Sequence, residues 1–113
     1  IRGRRGQRLL IGMRDALDAM PIKELVAGEL ETTEGAVCAL GALGKARGVV
    51  MSGVDPEDIE TVAALFDIAG PLAREIVYEN DEAGPWRGES PTERYERMRR
   101  WVQQHIKSGV SDG

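Results

Sequence analysis

A chain of 113 residues, of which 42% are hydrophobic and 30% charged, has the composition of one globular domain rather than of a disordered segment. Arg14 and Asp15 interrupt the N-terminal apolar residues, and no run reaches the roughly 20 apolar residues that span a bilayer, so neither a signal peptide nor membrane association is expected. The single cysteine, Cys38, forms no internal disulfide, which favours a reducing, cytoplasmic location.

The formal net charge of −4 hides an uneven distribution of charge along the chain. Residues 1–14 carry five arginines and no acid, whereas residues 48–86 carry nine acids against a single arginine. Residues 87–113 carry six bases and four acids. This segregation either steers a charged partner or lets the basic termini pair with the acidic middle, and we favour the second interpretation.

The first part of the chain predicts one amphipathic helix followed by a polar connection. Leucines and a methionine recur at helical spacing over residues 7–19, and Pro21 ends that helix. Residues 1–6 are expected to form a basic, flexible arm. The polar stretch that follows Val26 contains two glycines, which favours a loop or a small hairpin near residues 29–38.

The second predicted helix, residues 39–48, is short and rich in small side chains. Gly48 is expected to close it, because a positive φ costs glycine little at a helix end. Gly41 and Gly44 each lower the helix propensity by roughly 1 kcal/mol, so we expect the backbone of another helix to lie close to them.

Proline-containing start signals place two of the remaining helices. Asp55 as a cap with Pro56 in the first helical position predicts a helix that ends near residue 66, and a further helix follows over residues 71–80. These two helices resemble a helix-turn-helix pair in their apolar spacing.

The last predicted helix begins at a capping box, in which Ser90 and Glu93 flank Pro91, and it continues to about residue 106. Residues 107–113 are expected to be a disordered tail. The predicted fold is therefore a single all-α domain over residues 7–106, a compact bundle of about five short helices.

Cys38 is the candidate nucleophile of the chain. The start of a helix lowers a thiol pKa, and the single histidine, His105, would have to act as the base. The neighbours of Cys38 are apolar, however, and free cysteine is among the most buried residue types, so we expect a core cysteine. No P-loop, HExxH or nucleophile elbow occurs, and a zinc site would lack two ligands, so no catalytic residue, cofactor or metal is predicted.

The helix-turn-helix pattern of residues 56–80 raises the possibility of DNA binding, in which the second helix would enter the major groove. That helix and its exit carry mostly acids, which repel a phosphate backbone, so direct DNA binding is not expected. The arginines of the last helix are expected to pair with the acidic middle of the chain: Arg94, Arg97, Arg99 and Arg100.

The segment YENDEAGPWRGE, residues 78–89, separates the last two predicted helices. Asp81 and Glu82 lie at a helix C-terminus, where the dipole disfavours negative charge. They could cap the next helix, pair with the last helix, bind a cation or face a basic partner. Trp86 is either an exposed anchor for a partner or a lid over the core, and the high average burial of tryptophan favours the lid.

Five segments together resemble a group of small bacterial proteins, many of which are encoded by prophages or tailed phages. The segments are RGQ at 5–7, CALGALGKARG at 38–48, DPED at 55–58, LAREIVYENDE at 72–82 and PTERYERMRRWV at 91–102. The resemblance covers most of the chain and implies a mobile-element product that acts inside a bacterial cell. It brings no catalytic residues, and small phage proteins often occlude a host machine, as anti-CRISPR proteins do.

These observations favour a non-enzymatic interaction module that binds a bacterial protein or nucleoprotein complex, such as an anti-CRISPR-like inhibitor, through an acidic surface. The expected contact residues are Glu75, Glu79, Asp81, Glu82 and Trp86. One alternative is a small enzyme that uses Cys38 with His105, or Asp81 with a neighbouring carboxylate. The other is a DNA-binding regulator, and the small residues of the second helix leave a homodimer contact open.

Overall fold

The computed structural model describes residues 3–106, which form five α-helices and no β-strand. The helices are α1 (Arg4–Ala19), α2 (Ala39–Arg47), α3 (Ile59–Phe66), α4 (Gly70–Asp81) and α5 (Pro91–His105). The predicted all-α bundle of short helices is therefore confirmed. The predicted tail at residues 107–113 lies outside the described residues.

α1 begins at Arg4, earlier than the periodicity of its apolar residues indicates. The backbone N–H of Gln7 donates to the Gly3 carbonyl at 2.9 Å. The side chain of Gln7 donates through Nε2 to the His105 carbonyl at 3.1 Å, which ties the start of α1 to the end of α5. Residues 4–6 of the predicted flexible arm over residues 1–6 are thus helical, and the first two residues lie outside the described part of the chain.

The connection between α1 and α2 contains a single β-bridge instead of a complete hairpin. Glu31 and Val37 form this antiparallel bridge. Thr32 donates its backbone N–H to the Ala36 carbonyl at 2.8 Å inside it. The hairpin alternative near residues 29–38 is thus reduced to one residue pair within a loop.

The apolar core lies where α1 packs against α2 and α5. α4 contacts the same two helices, and α3 packs against α4. The fully buried side chains of the core come from all five helices and from the loop between α1 and α2: Leu9, Leu10, Met13, Leu17, Leu25, Leu30, Leu40, Val62, Phe66, Ile76, Met98 and Val102. Burying each such side chain contributes roughly 1.5–3 kcal/mol, and most of the core is aliphatic or methionine, with Phe66, Tyr95 and Trp101 as its aromatic members.

Two glycines of α2 face close neighbours inside the fold. A Cβ at Gly41 would collide with the backbone carbonyl of Leu30, and a Cβ at Gly44 would meet the sulfur of Met51 and lie 3.2 Å from the ring of Phe66. The expected close approach is present, but the backbone beside Gly41 belongs to a loop and not to another helix. Both glycines therefore serve packing within the chain.

α3 begins at Ile59 and not at Pro56. The Oδ1 atom of Asp55 accepts the N–H of Glu57 at 2.9 Å, which forms a separate turn ahead of the helix, and Asp58 is the N-cap. The predicted start is wrong because two acidic residues near Pro56 are both competent caps, and the second one starts the helix.

The start of α5 agrees with the prediction. Ser90 Oγ accepts the Glu93 N–H at 3.1 Å, and Glu93 Oε1 accepts the Ser90 N–H at 2.8 Å. Pro91 occupies the first helical position, where its missing N–H leaves no bond unmade.

Candidate interaction surface

Trp86 projects from a tight turn between α4 and α5. The backbone N–H of Gly88 donates to the Pro85 carbonyl at 2.8 Å, which places Trp86 and Arg87 at the two central positions of a β-turn. The indole is 98% exposed, so the predicted lid over the core is wrong. The two central side chains of this tight turn point away from the Pro85–Gly88 hydrogen bond that closes it.

The turn is braced by a buried carboxylate. The side chain of Glu89 is only 5% exposed and lies 2.7 Å from Arg97 Nη2 and 3.4 Å from Arg94 Nε. The hydrogen bonds from Arg97 hold the pKa of Glu89 below its usual range, in spite of the opposing effect of burial. A Cβ at Gly84 would lie 2.7 Å from this carboxylate, so the loop passes close to it.

Arg97 also secures the end of α4. Its Nη1 donates to the Glu79 carbonyl at 2.7 Å, and its Nη2 donates to the Asn80 carbonyl at 3.3 Å. These carbonyls have no partner within a helix that ends at Asp81. One guanidinium therefore joins α4, α5 and the loop that presents Trp86.

The residues of the predicted acidic surface differ in their exposure and in their contacts. Glu75 and Glu82 are exposed. Glu79 pairs with Arg97 at 3.4 Å, and the half-buried Asp81 accepts the side-chain amide of Asn80 at 2.7 Å. The expected pairing of acids with the last helix thus holds for Glu79.

Asn80 is the key polar residue that the sequence did not reveal. It is 1% exposed, its Oδ1 accepts the N–H of Ala39 at 3.1 Å, and its Nδ2 donates to the Val26 carbonyl at 3.0 Å. It therefore connects α4 to the start of α2 and to the preceding loop. The only signal in the sequence is an uncharged amide beside two acids, and its partners are far away in the chain.

Cys38 is a core residue, as expected. It is 5% exposed, and burial raises the pKa of its thiol to about 12, with a smaller contribution from the charge of Asp81. Its Sγ accepts the N–H of Gly41 at 3.3 Å and thereby caps α2. A thiol with so high a pKa is not ionised near neutral pH and is a poor nucleophile.

His105 stacks on Trp101 with a distance of 4.2 Å between ring centroids. Its Nδ1 lies 2.8 Å from the carbonyl of the same Trp101. These contacts hold the imidazole at the end of α5, whereas Cys38 lies against α4, where a small cavity is lined by Ile76, Val77 and Asn80 among others.

The structure also contains an apolar groove that the sequence did not indicate. It has a volume of about 610 Å³ and lies between the end of α1, the loop that follows it and one side of α2. Ala19, Ala46 and Pro91 are among its lining residues, and Ile22 in it is 65% exposed. Its residues come from four separate segments, so no local pattern marks it.

If α3 and α4 acted as a helix-turn-helix, the exposed side of α4 would face DNA. Arg74, Glu75 and Tyr78 are exposed on this helix, and Glu82 follows them at its end. One base against two acids does not neutralise phosphates, which supply most of the affinity for DNA.

Comparison with known proteins finds no matching family model, no similar curated protein and no similar solved structure. Within residues 3–106, no helix has the length and apolar character needed to cross a membrane. The same residues contain no group of three or more histidine, cysteine or acidic side chains arranged to hold a metal ion. The geometry around Trp86 is therefore the main basis for a functional interpretation.

Proposed function

We propose that this chain is a non-enzymatic interaction module that binds a bacterial protein or nucleoprotein complex, with Trp86 as its anchor. The observation that carries the proposal is the 98% exposure of an indole on a braced turn. Tryptophan is enriched among the residues that dominate binding energy. A side chain that is already held by a rigid turn loses less freedom on binding.

The proposal also assigns a role to the exposed acids of α4. Glu75 and Glu82 would attract a basic surface and orient it toward the turn. The resemblance to prophage and phage proteins supports a partner within the bacterial cell, and an inhibitor of a defence complex is the specific form that we propose.

The test is affinity capture from bacterial lysate, with and without nuclease, followed by titration of the captured partner. Trp86→Ala should weaken binding by at least about 30-fold, which corresponds to a hot-spot loss of about 2 kcal/mol. Val50→Ala is the matched control, because Val50 is also an exposed apolar residue. Equal affinity of the two variants would sink the proposal.

The acids are tested with the double variant Glu75→Lys/Glu82→Lys. It should weaken binding and reduce its dependence on salt, because opposite charges attract less when screened. Glu57→Lys/Glu96→Lys changes the net charge equally at exposed positions elsewhere. The same loss in both variants would assign the effect to net charge and not to this surface.

A further inference from the structure

The groove has room for the side chain that the Trp86 turn presents. The groove, of about 610 Å³, lies within the range of about 300–1,000 Å³ that accommodates drug-sized ligands, so it is large enough for one indole. Small side chains such as Ala19 and Ala46 line it and leave room for a ring. The indole of Trp86 is the most exposed large apolar side chain of the described residues.

The Trp86 turn is close to the groove in the chain. Pro91, the first residue of α5, is one of the lining residues of the groove. Trp86 precedes it by five residues, which span at most about 18 Å even when fully extended. The described part of the chain is 39 Å long. A two-fold interface needs a self-complementary patch on each copy, and this arrangement provides one.

Charge favours the same pairing. Arg87 stands beside Trp86 in the turn and is exposed, whereas Glu24 and Glu34 are exposed residues that line the groove. The base in the groove, Lys45, lies 3.8 Å from a carboxylate oxygen of Glu31, which offsets its charge. An incoming Arg87 would therefore meet two carboxylates, and a second copy of the chain carries the matching arginine.

We propose that the chain forms a two-fold homodimer in which the Trp86 turn of each copy occupies the apolar groove of the other. The dimer would cover the same indole that the proposed function uses as an anchor. Self-association and partner binding would then compete for Trp86, so that a partner captures the monomer.

Sedimentation equilibrium of the full chain from about 1 to 500 µM tests the dimer. The wild type should show a monomer–dimer equilibrium, and both Trp86→Ala and Ala46→Arg should raise the dissociation constant at least about tenfold. Ala46→Arg fills the groove and repels Arg87 while it keeps a good helix former. Ala64→Arg is the matched control, because Ala64 is an exposed alanine of another helix.

Tryptophan fluorescence gives a second readout. Emission of the wild type should shift to shorter wavelength with concentration as Trp86 leaves water, whereas in Trp86→Ala the buried Trp101 should not shift. Arg87→Glu should weaken the dimer, and Glu24→Arg added to it should restore part of the affinity.

A monomer at all concentrations overturns the proposal, as does a dimer that Ala46→Arg leaves intact. The proposed function is judged separately through Ala46→Arg, which retains Trp86. If Ala46→Arg is monomeric and still captures the partner, the groove is needed for the dimer and not for partner binding by Trp86. If a wild-type dimer forms but neither it nor Ala46→Arg captures a partner, only the proposed function fails.

Discussion

Two buried polar side chains lie near the end of α4, and they connect different parts of the chain. Asn80 is a neutral amide that joins α4 to the start of α2 and to the loop before it. Glu89 is a carboxylate that joins the turn of Trp86 to α5 through Arg97. The first site organises the core, whereas the second positions an exposed side chain. The two sites should therefore respond differently to mutation and to pH.

The largest effect is expected from Asn80→Ala. The substitution leaves the N–H of Ala39 and the carbonyl of Val26 without their side-chain partner, and burying unpaired polar groups costs roughly 1–3 kcal/mol each. We expect the free energy of unfolding to fall by about 3 kcal/mol, measured by urea denaturation. Gln104→Ala, which removes an exposed amide, should change it by less than about 0.5 kcal/mol.

The next effect is expected from Glu89→Gln, which removes the negative charge that faces Arg94 and Arg97. We expect a loss of about 1–2 kcal/mol, below the value for fully buried pairs because both arginines retain some exposure to water. Hydrogen exchange should increase over residues 82–90 and not at the start of α2. Faster exchange at Ala39 instead would contradict the separation of the two sites.

The pH dependence sharpens the same comparison. Because the pKa of Glu89 in the folded protein lies below its ordinary value of 4.5, its contribution is complete above that pH. The contribution is lost as the pH falls through the lowered pKa. The stability difference between wild type and Glu89→Gln should thus be constant near neutral pH and shrink below about pH 4.

The corresponding difference for Asn80→Ala should be the same at every pH, because an amide does not titrate in this range. Urea denaturation between about pH 3 and 7 measures both differences. Asp18→Asn is a positive control. The pKa of Asp18 is also lowered, chiefly by its hydrogen bond from Arg99, so the stability difference between wild type and this variant should shrink at low pH as well. A parallel loss of both differences at low pH would argue against a charge effect specific to Glu89.

These sites also show which features could be predicted from the sequence. The capping box of Ser90 and Glu93 is predictable because its partners are three residues apart, and the helical periodicity predicts the bundle. Local sequence does not fix the start of α3, because Asp55 and Asp58 are equivalent as local caps. The role of Asn80 has no local signal, because its partners lie in distant segments of the chain.

The surface was harder to predict than the core. Average burial favours a covered tryptophan, but the closed turn of Pro85 and Gly88 overrides that average for Trp86. The acids at the end of α4 look alike in sequence, yet Glu79 reaches Arg97 while Glu82 remains exposed. Exposure depends on which side chain a distant arginine reaches, and local spacing does not contain that information.

The smallest effect on the free energy of unfolding is expected from Cys38→Ser. Like Asn80, Cys38 accepts a hydrogen bond at the start of α2. Cys38 Sγ accepts the N–H of Gly41, and serine is a preferred residue at the N-cap. In Cys38→Ser a stronger acceptor is gained, while a hydroxyl replaces a buried thiol that behaves as a small apolar group. The two effects oppose each other, so we expect the free energy of unfolding to change by less than about 1 kcal/mol.

Urea denaturation of Cys38→Ser beside Asn80→Ala tests this ranking at one helix end. Partner capture should be unchanged in Cys38→Ser, since the residue is buried and its thiol remains protonated near neutral pH. A loss of capture with unchanged stability would revive a reactive role for the thiol. A loss of stability as large as that of Asn80→Ala would mean that the sulfur, and not the amide, is the main support of α2.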